Sequence, residues 1–122
     1  MNDPAELDRF GQQLMTSVRD EAIADLDALA ARRMGGPEGQ RWRSLLADAD
    51  TRRTVQELIP DIVDLVLARL LHAADTGSLP LGWQRADGTW TELGGSGELA
   101  GWLIDSEGWR VRYSASRYND PT

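Results

Sequence analysis

Four polar residues, Asp61, Asp64, His72 and Asp75, share one helical face: with Ala68 between them they step by 3, 4, 4 and 3. Two carboxylates one turn apart, with a histidine two turns on, are groups that can hold a divalent cation or move protons. The spacing is loose for either task. Asp64 and His72 stand about 12 Å apart along a helix axis, whereas helical metal pairs sit three or four residues apart. No HExxH or ExxH motif is present. A helix that is otherwise apolar needs a polar strip facing water, and that is the favoured reading of these residues, with no metal and no cofactor. His72 is the only histidine, so any Ser-His-Asp triad would have to use it, and no GxSxG elbow accompanies it. The Gly94-Gly95-Ser96-Gly97 run lacks the GK[ST] ending of a phosphate loop, and the chain has no lysine to supply one. Cysteine is absent, which removes disulfides, thiolate metal sites and Cys nucleophiles together. The balance is against an enzyme.

A second constellation lies in LGWQRADGTWTEL, residues 81–93. Asp87-Gly88 is a two-residue hairpin signal. It sets Arg85 opposite Trp90 and Trp83 opposite Glu92, and places Leu81, Trp83, Arg85, Trp90 and Glu92 on one face. Tryptophan and arginine dominate contact hot spots, so Trp83, Arg85, Trp90 and Glu92 form the candidate binding face. The stretch GWQRADGTWTEL, about a tenth of the chain, resembles one unit of the choline- or glucan-binding cell-wall repeats. Those hairpins read Gly-Trp, a short polar turn with Gly, then Trp and further aromatics that cage a quaternary ammonium or a sugar. The resemblance implies the hairpin; Thr91 and Glu92 stand where the repeats carry tyrosines. Gly101, Trp102 and Trp109 repeat the spacing of Gly82, Trp83 and Trp90, but nothing else matches around them, which is no module repeat.

These groups must be carried by a mainly helical scaffold. Asp3-Pro4 starts a helix, with Glu6 completing a capping-box-like start. A stripe of Leu7, Phe10, Leu14, Val18, Ala22, Leu26 and Leu29 carries it to about residue 34, with Arg32 and Arg33 in the last turn. A shorter helix covers about 37–47. Asp50 is placed to cap a third, about 51–75, whose apolar residues cover most of its circumference; such a helix is central. Pro60 inside it predicts a kink or a one-turn break. Then come the hairpin, a flexible Gly link at 94–97 and a short helix at 98–105. Residues 109–113 alternate like a strand, while Trp109, Tyr113 and Arg117 also fall at helical steps. The expected fold is α+β: a long N-terminal helix packed on an apolar central helix, closed by a small Trp-rich C-terminal hairpin subdomain. It forms a single domain over 1–122, helical over 1–78, with the hairpin and C-terminal part over 79–122.

Charge narrows the function classes. The 122 residues carry 20 acids and 13 bases, net −7. Residues 1–80 hold 9 Arg and 14 acids, and residues 81–122 hold 4 and 6, so neither part is basic. That argues against nucleic acid and against anionic membranes. Acidity suits solubility or a basic protein partner. No secretory signal opens the chain and no apolar run is long enough to span a bilayer, so the expected location is the cytoplasm. The leading expectation is a non-catalytic protein-binding module, concretely an immunity protein or inhibitor of a bacterial toxin. The alternatives are a small-molecule binder or small enzyme with a Trp-lined pocket using Arg85 or His72, and a structural homo-oligomer.

Overall fold

The computed structural model describes residues 1–119. It is a mainly helical α+β chain. In order it runs α1 (Pro4–Leu14), a π-helical turn (Met15–Arg19), α2 (Asp20–Ala30), α3 (Gly36–Leu45) and α4 (Ala49–Thr76). The hairpin β1 (Gly82–Gln84) and β2 (Trp90–Glu92) follows, then α5 (Leu99–Ile104) and α6 (Trp109–Tyr113). The Asp3 carboxylate caps α1 by accepting from the Ala5 and Glu6 N–H groups. Residues 109–113, readable as strand or helix, form a helix, and Trp109 is its buried anchor at 1% exposure. A Cβ at Gly11 would overlap the Trp109 indole, so the glycine in mid-α1 is what lets α6 approach.

The first helical run departs from its stripe. It ends at Ala30 rather than near 34, and Arg32 adopts a left-handed φ of 66°. The π turn inserts one residue, which rotates everything after it. Leu14 and Met15 are buried together, then Arg19 and Ile23; Val18, inward by the regular four-residue step, is 44% exposed. An arginine therefore enters the core where a valine was expected.

Helix α4 also differs. Asp48, not Asp50, is its cap, accepting from the Thr51 N–H at 3.0 Å. The helix runs through Pro60 without a break. Proline lacks the N–H that would bond the carbonyl four residues back. That carbonyl, Gln56, instead accepts from Arg117 Nη2 at 2.6 Å, and the next one, Glu57, accepts from the Asn119 amide at 2.9 Å. The segment after α6 is thus a strap across α2 and α4. Ser114 and Ala115 donate to Asp20, and Arg117 forks onto Asp27 at 2.7 and 2.9 Å. Helix α4 packs on α2 and α5 around Ile23, Ile59, Leu71, Leu99 and Leu103.

The hairpin pairs Gly82 with Glu92, Trp83 with Thr91 and Gln84 with Trp90, one residue off the expected register. The Gly88 N–H donates to the Arg85 carbonyl, the Arg85 N–H to the Thr89 carbonyl, and Gly88 takes φ 89°. The connection is a three-residue loop, a turn followed by a left-handed glycine, and not the two-residue Asp87-Gly88 turn. A one-residue slip moves one strand's side chains to the opposite face of the pair.

Candidate functional site

The slip separates the hairpin quartet. Trp83 turns inward: its ring meets Phe10 edge-on at 5.3 Å, its Nε1 donates to Glu6 at 2.9 Å, and Arg9 lies 4.9 Å from its centroid. Trp90 is on the other side and 68% exposed, with Glu92 exposed beside it in the strand. Arg85 is half-buried at the turn, its Nε without a partner among the described residues. Glu6 does not close a capping box. Its carboxylate takes the Ala86 N–H, the Trp83 indole and Arg9, which together hold it below the usual carboxylate range. The hairpin is bolted to α1 by these contacts and does not present a face carrying both tryptophans.

The helical quartet divides as well. Asp61 and His72 are exposed, as a solvated strip requires. Asp64 is buried between two guanidiniums. Arg19 Nε and Nη2 reach its two oxygens at 2.7 and 3.2 Å, and Arg110 Nη1 reaches Oδ2 at 2.9 Å. Both oxygens are occupied, so Asp64 offers no base to a substrate. The surplus positive charge is met by the carbonyls of Ser116, Arg117 and Ile104. Asp75 gathers the 94–97 link, expected to be flexible, by accepting from the Gly95, Gly97 and Leu99 N–H groups and the Ser96 hydroxyl. Burial pushes the Asp75 carboxyl up, but these donors outweigh it and hold it below the usual range. Among the described residues no three His, Asp or Glu side chains are grouped to hold a metal ion. Arg19 and Arg110 escaped the sequence reading: the π turn re-phased the first, and the second lay in the stretch that read two ways.

A Trp-lined hollow of about 600 Å³ does exist between α1, α5 and α6. Its walls include Leu7, Trp102, Trp109 and Glu98, with the Asp8–Arg112 ion pair at 2.7 Å on its lining. Neither Arg85 nor His72 lines it, so the expected polar partners of such a pocket are elsewhere.

The residues that stand out physically are apolar. Helix α4 was expected to be central, yet Leu58, Ile62, Leu65, Val66 and Leu70 are 36–63% exposed. They form one stripe, about 18 Å long at 1.5 Å per residue. At its N-terminal end the stripe meets a hollow of about 300 Å³ between α3 and α4, lined by Arg41, Trp42, Leu45, Leu46 and Val55, where Leu45 is 71% exposed. Val55 is one turn from Leu58 and two from Ile62, which joins hollow and stripe. Covering such side chains is worth about 1 kcal/mol each, taking half of a full burial. Contiguous apolar surface of this kind on a folded chain marks a contact site. One signal in the sequence pointed here: a helix apolar all round needs neighbours all round, and the short elements after residue 80 supply too few. Two charges border this face, Asp61 toward one end and Arg69 toward the other. No helix among the described residues is long and apolar enough to cross a membrane. No family model matches the chain, and no curated protein or solved structure is significantly similar to it.

Proposed function

We propose that the chain is a non-catalytic protein-binding module whose contact surface is the outward face of α4 and the adjoining α3–α4 hollow. The observation that carries this reading is the stripe of Leu58, Ile62, Leu65, Val66 and Leu70, open to water on an ordered helix. The acid–base groups support it from the other side. Asp64, Asp75 and Glu6 are spent on holding the fold together, and the only histidine is alone on the surface. A chain of net −7 with this face works by occupying another protein surface, in the cytoplasm. The heterologous form is an immunity protein or toxin inhibitor with a basic partner; the self-associating form is a homo-oligomer. The order of charge along α4 favours the second.

The test is site-specific photo-crosslinking in extract of the native host. A photoreactive residue at Leu65 gives a discrete cross-linked protein product, while one at Ala24, exposed on α2, gives none. Absence of product at Ile62, Leu65 and Val66 alike overturns the reading, and so does equal product at Ala24.

A further inference from the structure

We infer that the occupant of this face is a second copy of the chain, docked with the two α4 helices antiparallel about a two-fold axis between Val63 and Asp64. The inference rests on the protein-binding reading above and names its partner. Leu58, Ile62, Leu65 and Arg69 step by 4, 3 and 4, the spacing of a helix–helix seam. An antiparallel pair about that axis sets Ile62 of each copy against Leu65 of the other. It also sets Arg69 opposite Leu58, one turn from Asp61 of the other copy, which flanks the seam. Each end of the seam therefore brings one arginine to the Asp61 of the other copy. A parallel pair would set Arg69 on Arg69 and Asp61 on Asp61, so charge selects the antiparallel arrangement.

The residues involved are free to do this. Arg69 has no ion-pair or hydrogen-bond partner among the described residues, and it is exposed at the C-terminal end of the apolar stripe. Asp61 takes the Asn119 amide on Oδ1, which leaves Oδ2 to pair. The stripe alone is short of the ~800 Å² per copy that stable interfaces bury. The hollow lined by Trp42, Leu45 and Val55 lies at the N-terminal end of the stripe, where the antiparallel helix brings the C-terminal end of the other α4, with its exposed Leu70. Self-complementarity follows from one surface meeting itself, and each substitution counts twice.

The experiment is sedimentation equilibrium of the purified full chain across micromolar concentrations, with circular dichroism to confirm folding. Wild type is expected to show a concentration-dependent dimer. Leu65→Asp should raise its dissociation constant about 100-fold or more, since the change enters the seam twice. Arg69→Glu alone and Asp61→Arg alone should each dimerise poorly, because each sets like charges together. Mixing the two should restore a dimer. A wild-type monomer throughout, or a dimer indifferent to Leu65→Asp, overturns the inference, and failure of the mixture to recover overturns the antiparallel arrangement. The broader reading is judged separately: a cross-linked product of a different protein at Leu65 keeps it and removes the second copy.

Discussion

Helix α4 has two faces, and they are inverted relative to simple expectation. Its inward face holds Asp64, 8% exposed, between Arg19 and Arg110. The very next residues outward, Leu65 and Val66, are each 63% exposed. The inward face is apolar everywhere else: Ile59, Val63, Leu67, Leu71 and Ala74. The single charge there does something an apolar residue cannot. It ties the π turn, α4 and α6 together at one fixed register, through a two-pronged contact from Arg19 and a single one from Arg110. The outward face has no such constraint, and its apolar side chains stand as a surface waiting for cover. Burial of a charge and exposure of leucine on neighbouring residues describe a helix built to be held on one side and to hold on the other.

The largest break in this comparison comes from inside. Asp64→Ala leaves two buried guanidiniums without their shared counter-charge, and the expected loss is about 3–5 kcal/mol in urea denaturation. A loss below about 1 kcal/mol would mean the triad is solvated and the faces are not so different. Next is acidity. Asp75 lies at the C-terminal end of α4, and its carboxyl is depressed by burial overcome by its donors. Its contribution is complete above the unfolded value of about 3.9 and is lost as pH falls through the lower folded value. Asp75→Asn should therefore be less stable than wild type at neutral pH, with the gap narrowing as pH drops below about 4. A gap that widens on acidification would contradict the geometry at Asp75. The smallest effect is outside: Leu65→Asp should change the stability of the monomer by no more than about 0.5 kcal/mol, because the position is open to water. The same substitution should have its large effect on association alone. A strongly destabilised monomer would show that Leu65 is covered within the chain.

Much of the scaffold was readable from residue types. Asp3-Pro4 opens α1, Gly77 closes α4 in a left-handed conformation, and the α+β division falls where the texture changes after residue 76. What periodicity supplies is which residues share a face; which face points inward depends on neighbours distant in sequence. Asp61, Asp64, His72 and Asp75 do lie along one side of α4, yet Arg19 and Arg110 draw Asp64 inward while His72 stays in water. Two single-residue events account for most of the rest. One extra residue in the π turn exchanged Val18 for Arg19, and one extra residue in the hairpin loop parted Trp83 from Trp90. Neither leaves a mark in composition, because each is chosen by what the flanking segments must touch. The outward face of α4 was hidden for a related reason: a uniformly apolar helix reads the same whether its last neighbour is in its own chain or in another.

The Asp64 triad also sets an order of events during synthesis. Its members come from residues 19, 64 and 110, and the carbonyls left over at Pro60 are closed by Arg117 and Asn119. Until Arg110 has been made, Asp64 has Arg19 alone of its two counter-charges, and the Gln56 and Glu57 carbonyls lack their Arg117 and Asn119 donors. Emergence of residues 110–119 from the ribosome supplies the second guanidinium and the strap together, so the contacts of α4 are completed after the helix itself has been made. A fragment ending before Arg110 thus leaves open the part of α2 and α4 that residues 110–119 cover.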